Sequence, residues 1–388
     1  MKYASQYLRL AAVVIGQYDG STPLAVFLKL YFASNRQSGS KDRKHISQLC
    51  YCYYRLGHAL KDLPLEERMR LALFLCQPAP GIWEGVFEKQ WIDQWVRDLP
   101  SRILFAQQQY PSFEISSIFP WQGELGHAYD AHAFTLSHLI QPDLFLRVRP
   151  GHHAAVRKKL ETAGISFTTS GENCLVLPNA SKIDEVLAID KEVVIQDISS
   201  QKVSELLQSL ISTKKLRVWD CCAASGGKSI LAWDTLPQIR LTASDIRDSI
   251  IRNLRKRFST ANVQAENVFV ADLSQKNKLP IAPFDLVICD APCSGSGTWS
   301  RTPEQLFYFE GSQIDSYALL QEKIGKQVLE YIKPGGYLLY ITCSVFAREN
   351  ELVAEKMAGQ GMQIIEMKWL KGYDQKADSM FAALLQKQ

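Results

Sequence analysis

The sequence predicts an α/β protein whose C-terminal part, residues 201–388, is a doubly wound parallel sheet. A helical domain (1–140) and a small α/β domain (141–200) are expected before it. Three observations support this fold class. The chain has 388 residues, too many for one hydrophobic core of ordinary size. Apolar residues recur at helical spacing up to about residue 75. Short apolar strands alternate with helical patterns after residue 204.

Composition restricts the class of protein. Hydrophobic residues make up 46% and charged residues 22% of the chain, as in water-soluble globular proteins. No stretch approaches the ~20 uncharged apolar residues that span a membrane, and the N-terminus shows no secretory signal. Nine cysteines without a zinc or disulfide pattern fit a reducing compartment, so we expect a cytoplasmic protein without a metal site. A net charge of +4 permits nucleic-acid binding without requiring it.

The helical domain is predicted from apolar spacing over Tyr3–Ile15, Leu24–Ala33 and His45–Leu60. A basic cluster precedes the aromatic-rich stretch Tyr51–Tyr54 and consists of Arg36, Lys41, Arg43 and Lys44. Such a cluster could hold phosphates, although a solvated loop beside a packed helix is the more frequent explanation. Residues 81–141 are rich in Trp, Pro and Gln, show no clear period, and receive no assignment.

The small domain opens with an alternating strand, Leu144–Arg149, which puts Arg147 and Arg149 on one face. The elements expected after it are a helix over Ala154–Ala163, strands near Ile165–Thr169 and Cys174–Leu177, a helix near Lys182–Leu187 and a strand over Val193–Asp197. This order resembles a small RNA-recognition-like domain. Both arginines are therefore candidates for RNA contact, with an ordinary solvent-exposed edge as the alternative.

The C-terminal domain shows a regular alternation of strands and helices. The predicted strands are Leu216–Cys221, Leu241–Ser244, Val268–Ala271, Phe284–Cys289 and Gly336–Thr342. The helices between them are expected near Gly227–Asp234, Ile246–Arg257 and Ser312–Ile332. Alternation of this kind implies parallel βαβ units in a doubly wound sheet, whose ligands bind beyond the carboxyl ends of the strands.

A glycine-containing loop follows the first strand of this domain, Asp220-Cys-Cys-Ala-Ala-Ser-Gly-Gly-Lys228. Its small residues allow the backbone to approach a ligand before a helix begins. The G-x-G-x-x-G fingerprint of dinucleotide sites is absent, and Cys222 replaces the first glycine of a phosphate-binding loop. An S-adenosylmethionine pocket needs only a tight glycine turn followed by acidic residues, so this ligand fits better.

Acidic residues end four successive predicted strands: Asp220, Asp245, Asp272 and Asp290. Asp245 lies at roughly the interval (~20 residues) at which an acid binds a ribose diol in doubly wound folds. Asp272 could accept from an adenine amino group. A lone Asp at a strand end is usually a turn residue or a helix cap, but four in one sheet weaken that explanation.

Two cysteines also follow strands, Cys293 in Asp290-Ala-Pro-Cys-Ser-Gly-Ser-Gly297 and Cys343 in Thr342-Cys-Ser344. A lone cysteine is usually a small buried hydrophobe, whereas two on one rim need another explanation. With Asp220–Lys228 before them, these motifs strongly resemble the RsmB/Sun (NSUN) family of S-adenosylmethionine-dependent RNA cytosine-5 methyltransferases. The resemblance extends from about residue 140 to the end, where Asp378–Leu385 is similar to the family's last strand. The N-terminal helices look like a shortened NusB-type RNA-binding domain.

The resemblance implies a Rossmann-like methyltransferase domain and a role for each motif residue. Cys343 is expected to be the nucleophile towards carbon 6 of a cytosine, and Cys293 is expected to assist product release. Asp290 would hydrogen-bond ring nitrogen 3, and Lys228 would favour the thiolate or hold Asp290 in place. The expected cofactor-binding residues are Cys222, Ala223, Ala224, Ser225, Gly226, Gly227, Lys228, Asp245, Asp272 and Asp290. The family usually has Pro at the position of Ser225, and its loss is expected to loosen the loop.

The implied substrate is 16S ribosomal RNA, with transfer RNA second. A DNA cytosine-5 methyltransferase shares the thiol chemistry, but its Glu-Asn-Val motif follows its Pro-Cys motif. Here Glu266-Asn-Val268 precedes Pro292-Cys293, which favours coincidence. A non-catalytic RNA-binding ribosome assembly factor is the other alternative, and the intact Cys343, Cys293 and Asp290 argue against it. The sequence leaves the oligomeric state open.

Overall fold

The computed structural model describes residues 2–35, 37–95, 97–276 and 278–388, and the chain divides into two compact units. The first, here called the helical unit, comprises Met1–Gly123, Asp130–Gln141 and Trp299–Gly311. The second, here called the sheet unit, comprises Glu124–Tyr129, Pro142–Thr298 and Ser312–Gln388. Residues 142–200 therefore belong to the same compact unit as the large sheet, whereas the sequence predicted a separate small domain over residues 141–200.

Helices account for most of the helical unit. They are α1 (Lys2–Gln17), α2 (Leu24–Ser34), α3 (Ser40–Arg55), α4 (Leu65–Cys76), α5 (Lys89–Trp95), α6 (Leu99–Gln109) and α7 (Ala131–Ser137). The three helices predicted here are present, and α5 to α7 lie in the stretch that gave no clear pattern. The resemblance to a NusB-type domain stays a prediction.

Aromatic residues of α3 belong to the core of the helical unit and do not form a ligand surface. Tyr53 and Tyr54 are buried and pack on the ring of Phe307. Arg68 is buried beside Tyr53 and donates to three backbone oxygens, which satisfies most of its guanidinium. Of the predicted basic cluster, Arg36 lies outside the described residues, and Arg43 donates to Ser38 O at 2.9 Å.

The segment Trp299–Gly311 corrects the predicted boundary of the C-terminal domain, because it packs within the helical unit. Its helix, Pro303–Tyr308, carries the buried Glu304, which accepts from Leu24 N at 3.1 Å. Trp299 is fully buried and contacts Trp121 and other rings of that unit. Sequence order alone could not reveal this, since the segment is an excursion between two strands of the large sheet.

The smaller of two sheets in the sheet unit is antiparallel with strand order β2-β3-β1-β4. Its elements are β1 (Leu144–Val148), α8 (His153–Thr162), β2 (Thr168–Ser170), β3 (Cys174–Leu177) and β4 (Val193–Ile195), followed by α9 (Ile198–Lys202) and α10 (Ser204–Gln208). The helix predicted near Lys182–Leu187 is wrong. Ile183 and Leu187 are buried in this small core, but only a single turn joins them, with Leu187 N donating to Ile183 O. Two apolar residues four positions apart can therefore both be buried by a loop with a single turn, without a helix.

Arg147 lies in β1 and Arg149 directly follows its last residue, but neither the candidate RNA contact nor the solvent-exposed edge fits their burial. Both are buried, and both pair with Asp234, at 2.6 Å from Arg147 Nη1 and 2.7 Å from Arg149 Nη2. Arg149 also donates to Ala261 O at 2.5 Å. The two arginines therefore join the small sheet to the large one and are not available to an external phosphate.

The large sheet has seven strands in the order β10-β11-β9-β8-β5-β6-β7. They are β5 (Leu216–Asp220), β6 (Ile239–Asp245), β7 (Ala265–Val270), β8 (Phe284–Asp290), β9 (Ile332–Thr342), β10 (Met362–Leu370) and β11 (Met380–Lys387). The pairs among β5 to β9 are parallel, whereas β10 and β11 are antiparallel. Apolar cores cover both faces, so the predicted Rossmann-like fold is confirmed.

The helices of the large sheet are α11 (Gly227–Thr235), α12 (Asp248–Thr260), α14 (Ser312–Leu329) and α15 (Glu351–Ala358), with α13 (Pro303–Tyr308) in the helical unit. Strand β10 had no counterpart in the sequence prediction, because its half-exposed residues give a weak pattern. Within the described part of the chain, we find no helix whose length and apolar character would suffice to cross a membrane. The fold positions the carboxyl ends of β5, β6, β8 and β9 at one edge, where the candidate site lies.

Candidate active site

The loop between β5 and α11 is a tight turn that depends on small residues. Ala224 and Gly226 have positive φ values of 45° and 85°. A Cβ on Gly226 would meet Leu254 Cδ1 at 2.4 Å, so this position requires glycine. The loop is fixed against β6, because Ala223 N donates to Ser244 O and Ala224 N donates to Asp245 Oδ2. The turn brings backbone close to the end of β6, as expected for a ligand-binding loop.

Ser225, the position at which the family has Pro, is bound by an arginine from α12. Arg257 Nη1 donates to Ser225 O at 2.9 Å and to Ser225 Oγ at 3.0 Å. The same guanidinium pairs with Asp190 at 2.7 Å. A proline has no hydroxyl to accept the second of these hydrogen bonds. In this chain a hydrogen bond to the Ser225 side chain therefore stands where a proline would fix the backbone φ. Sequence reasoning missed Arg257, since only the basic character of α12 distinguished it.

Three of the predicted acids differ in their environment. Asp245 is buried and accepts from Ala224 N and Arg247 N, both at 3.0 Å. Asp272 accepts from Ser274 N and Ser274 Oγ, which is the turn geometry that the alternative explanation predicted. Asp220 is fully buried, and burial raises its pKa to about 7. Asp220 Oδ2 accepts from Ser229, and within the described chain its Oδ1 has no hydrogen-bond partner.

Asp290, at the end of β8, is held by a lysine from α11. Lys228 Nζ lies 3.0 Å from Asp290 Oδ2 and donates to Ser200 Oγ at 2.8 Å. The Lys228 side chain is 9% exposed, whereas that of Asp290 is 31% exposed and can meet a ligand. The ammonium therefore orients the carboxylate, in agreement with the structural role considered for Lys228. Ser200 was not among the predicted site residues; it lies in the stretch Gln196-Asp-Ile-Ser-Ser-Gln201 before the C-terminal domain.

The two predicted cysteines are in contact. Cys293 follows β8, Cys343 follows β9, and their Sγ atoms are 3.3 Å apart. The hydrogen bond to Cys343, together with burial, raises the pKa of Cys293 well above its ordinary value. Either thiol can donate in this contact, and the raised pKa of Cys293 favours the form in which Cys293 keeps its proton. Gly297 lies close to both the Cys343 loop and the segment before β11, since a Cβ there would meet Cys343 O at 3.1 Å and Ser379 O at 1.9 Å.

Comparison with known proteins assigns the family. A family profile described as 16S rRNA methyltransferase RsmB/F matches residues 207–384, the region that contains the loop, the acids and both cysteines. This region belongs to the RsmB/Sun family. The predicted family is thereby confirmed, and so is S-adenosylmethionine as the predicted cofactor of this methyltransferase domain.

Named relatives agree with this family, and solved structures show the same fold. Ribosomal RNA small subunit methyltransferase B of Xanthomonas campestris pv. campestris is 32% identical over 218 residues, which cover 54% of this chain and 48% of that protein. The chain spans about half the length of the curated relatives it matches. The crystal structure of PH0851 has a TM-score of 0.70 at 17% identity and covers 97% of each chain. That of NSun6 from Pyrococcus horikoshii with SFG has a TM-score of 0.58 at 15% identity, covering 69% of this chain and 97% of that one. Both confirm the fold.

The residues of this RsmB/Sun domain fit S-adenosylmethionine. The turn at Ala224 and Gly226 leaves backbone without bulky side chains at the carboxyl edge of the sheet. Asp245 presents a buried carboxylate of the kind that binds a ribose diol. The unpartnered Asp220 Oδ1 is a further acceptor, of the type that an ammonium or amino group satisfies.

A second cluster of thiols lies beneath the cofactor loop of the RsmB/Sun domain. The Sγ atoms of Cys221, Cys222 and Cys289 lie within 4.8 Å of one another, and Cys222 is the partly exposed member. Hydrogen bonds from the other two thiols lower the pKa of Cys289 to about 5. Cys222 thus directs its thiol towards this cluster, and its contact with the cofactor stays a prediction. The predicted absence of a metal stays a prediction.

Proposed function

We propose that this chain is an RNA methyltransferase that transfers a methyl group from S-adenosylmethionine to carbon 5 of a cytosine, through a covalent adduct with Cys343. The proposal rests on one observation. Two thiols in contact, 3.3 Å apart, lie at the ends of adjacent parallel strands of a methyltransferase-family sheet. Asp290, which pairs with Lys228, is the last residue of β8, the strand that precedes Cys293. One thiol alone suits a structural role, whereas a contacting pair suits addition and release.

The chemistry requires a nucleophile, because carbon 5 of cytosine is too weakly nucleophilic to accept a methyl group directly. In the proposed step the Cys343 thiolate forms a bond to carbon 6, and the electrons of the ring double bond move towards carbon 5 and ring nitrogen 3. A proton shared between Asp290 and ring nitrogen 3 offsets the charge that develops there. The bound cofactor supplies the electrophilic methyl group that carbon 5 then attacks.

Lys228 supports this step by position. Its ammonium orients Asp290 at 3.0 Å and is itself fixed by Ser200. The carboxylate therefore meets the ring in one orientation, which reduces the reorganisation needed during addition.

Release reverses the first bond. Carbon 5 loses its proton to solvent, the ring double bond re-forms, and the bond from carbon 6 to sulfur breaks with its electron pair returning to Cys343. Cys293 donates its proton in a hydrogen bond to Cys343 Sγ and thereby stabilises the departing thiolate. Each methyl transfer releases one proton overall, so the atoms and charges balance.

For the substrate, we propose 16S ribosomal RNA, with transfer RNA as the second candidate. The family is described as 16S rRNA methyltransferases, and the matched relative is named for the small ribosomal subunit. A cytoplasmic location and the absence of membrane partners stay predictions. The oligomeric state stays open.

The test is methyl transfer by the purified full chain. Protein, S-adenosylmethionine and small-subunit ribosomal RNA are incubated, and digested nucleosides are separated by mass spectrometry. The expected product is 5-methylcytosine, absent with Cys343→Ala. Bisulfite sequencing of total RNA from a deletion strain then identifies the nucleotide. RNA binding without any methylated nucleoside, on ribosomal or transfer RNA, would support a non-catalytic assembly factor instead.

A further inference from the structure

A buried carboxylate connects the two loops that carry the cysteines. Glu349 has no exposed surface, and its Oε2 accepts from Ser294 N at 2.8 Å. Its Oε1 accepts from Ser344 Oγ at 2.9 Å. Ser294 is adjacent to Cys293 and Ser344 is adjacent to Cys343. One side chain thus bonds to the neighbour of each thiol.

A third bond and a serine cluster complete the connection. Gln321 Nε2 donates to Glu349 Oε2 at 3.1 Å and to Pro292 O at 3.0 Å, which fixes the start of the Cys293 loop. The hydroxyls of Ser294 and Ser344 are 3.3 Å apart. A buried carboxylate that accepts several hydrogen bonds is rigid, because each broken bond leaves a buried polar group unsatisfied.

We infer that Glu349 is a positioning residue that holds the Cys293 and Cys343 loops together, so that the two thiols stay in contact. This inference rests on the proposed function, which needs that contact for release. Glu349 touches neither sulfur through a hydrogen bond; it acts through Ser294 and Ser344.

The charge of Glu349 acts in the same direction. The hydrogen bond to Cys343 and burial are the two largest causes of the raised pKa of Cys293. The negative charge of Glu349 is a smaller cause that acts in the same direction. Burial also raises the pKa of Glu349 itself, which the bonds from Ser294, Ser344 and Gln321 oppose. The carboxylate therefore helps to keep the proton on Cys293, the thiol that stabilises the departing Cys343.

Two variants of the full chain separate position from charge. Glu349→Ala removes the bonds of the carboxylate to both loops, while the contact between the Ser294 and Ser344 hydroxyls remains. Glu349→Gln keeps an oxygen for Ser294 N and Gln321, and its amide can donate to Ser344 Oγ, so position is retained while the charge is lost. Glu351→Ala is the matched control. Glu351 is also buried, but it bonds to His127 N and Trp369 Nε1 and to neither cysteine loop.

The first readout does not require activity. Oxidised glutathione converts contacting thiols to a disulfide, with loss of two protons and two electrons and formation of two reduced glutathiones. The rate of Cys293–Cys343 linkage is followed by peptide mass mapping. Wild type, Glu349→Gln and Glu351→Ala are expected to link at similar rates, and Glu349→Ala at least ~10-fold more slowly, since small misplacements strongly lower the rates of contact reactions. Equal rates for Glu349→Ala and wild type would overturn the inference.

The second readout is the balance between turnover and trapped adduct. With Glu349→Ala we expect protein–RNA adduct to accumulate while turnover falls about 10²-fold, with cofactor affinity unchanged. Rescue by Glu349→Gln supports positioning, whereas parallel loss of adduct, turnover and cofactor binding means a merely structural role. If Glu349→Ala does not fold, Ser344→Ala removes one tie and must still slow linkage. If the wild-type protein links its two cysteines as expected but does not methylate RNA, the proposed function is refuted. The positioning role of Glu349 is still tested by the linkage rates in that case.

Discussion

Arg257 binds Ser225 twice, through the backbone oxygen at 2.9 Å and through the hydroxyl at 3.0 Å. The loop that follows β5 is therefore fixed from α12, although it lacks the proline usual in the RsmB/Sun family. The expected loosening of the loop is opposed by a contact that involves a residue 32 positions away in sequence. The Arg257 side chain is 20% exposed and also pairs with Asp190, whereas its two bonds to Ser225 lie at the exposed surface.

Arg257→Ala should therefore weaken S-adenosylmethionine binding by about 1 kcal/mol, roughly fivefold, because the loop loses its hydrogen bonds. Introducing Ser225→Pro into that variant should recover about 0.4–1 kcal/mol of folding stability by restricting the unfolded chain. Isothermal titration calorimetry measures the change in affinity, and urea denaturation measures the change in stability. Arg252→Ala, which alters an exposed pair with Asp248 on the same helix, is the control. Equal affinity for the two arginine variants would contradict this role.

Asp245→Ala should weaken cofactor binding by roughly 1.5–3 kcal/mol, the range for hydrogen bonds to a charged group. The reason is that its buried carboxylate is predicted to bind the ribose and also accepts from Ala224 N in the cofactor loop. Calorimetry on the folded variant is the measurement, with Asp272→Ala for comparison. Because Asp272 accepts its hydrogen bonds from Ser274, whereas Asp245 accepts one from the cofactor loop, we expect the smaller effect for Asp272→Ala. Unchanged affinity for Asp245→Ala would remove the assignment.

Asp234→Ala should lower the free energy of unfolding by about 3–5 kcal/mol, since it leaves Arg147 and Arg149 buried without their counter-ion. Urea denaturation measures this change. Asp315→Ala is the control. Its side chain is 63% exposed beside Arg348, and loss of such a pair should change stability by less than about 1 kcal/mol. Similar losses for the two variants would show that the arginine pair does not join the two sheets of the sheet unit.

Asp220 should make the stability of the protein depend on pH. Its pKa is raised by burial to about 7 in the folded state, against roughly 3.9 when unfolded. The folded state therefore binds the proton more tightly. Its stabilising contribution is complete below about pH 4, declines as pH rises to about 7, and amounts to on the order of 4 kcal/mol. The difference in stability between Asp220→Asn and wild type should therefore shift in favour of the variant from pH 5 to pH 8. Urea denaturation at both pH values measures this difference. A constant difference would contradict the raised pKa.

Parts of this site could be predicted because local pattern and sheet topology determine them. Parallel strands bring their carboxyl ends together, so Asp245, Asp290, Cys293 and Cys343 could be expected at one edge from the positions of four short strands. The glycine turn could be expected because few residues tolerate a positive φ as at Gly226.

The remaining features depend on contacts between distant segments. Arg147 and Arg149 looked like an exposed basic face because the sequence does not reveal that Asp234 lies opposite them. Trp299–Gly311 interrupts the large sheet in sequence but packs with the helical unit. Glu349 resembled any polar residue before a helix, and only the folded chain brings it to both Ser294 and Ser344.

The roles of the two cysteines give the sharpest prediction. If Cys343 forms the bond to carbon 6, Cys343→Ala has no route to the adduct, and methylation should disappear. Binding of cofactor and RNA should persist, because a thiol contributes little to either. In Cys293→Ala the addition and the methyl transfer can still occur, but the departing Cys343 thiolate loses the hydrogen bond that Cys293 donates across 3.3 Å. Release should then stall and leave protein joined to methylated RNA.

Denaturing gel electrophoresis distinguishes these outcomes. A slow-migrating band that nuclease removes should appear with Cys293→Ala and be absent with Cys343→Ala. The double variant should also lack it, since trapping requires the nucleophile. Cys174→Ala, a buried cysteine of the small sheet, is the matched control and should behave as wild type. If the band appears with Cys343→Ala instead, Cys293 is the nucleophile, and the order of the chemistry resembles that of the DNA cytosine-5 methyltransferases.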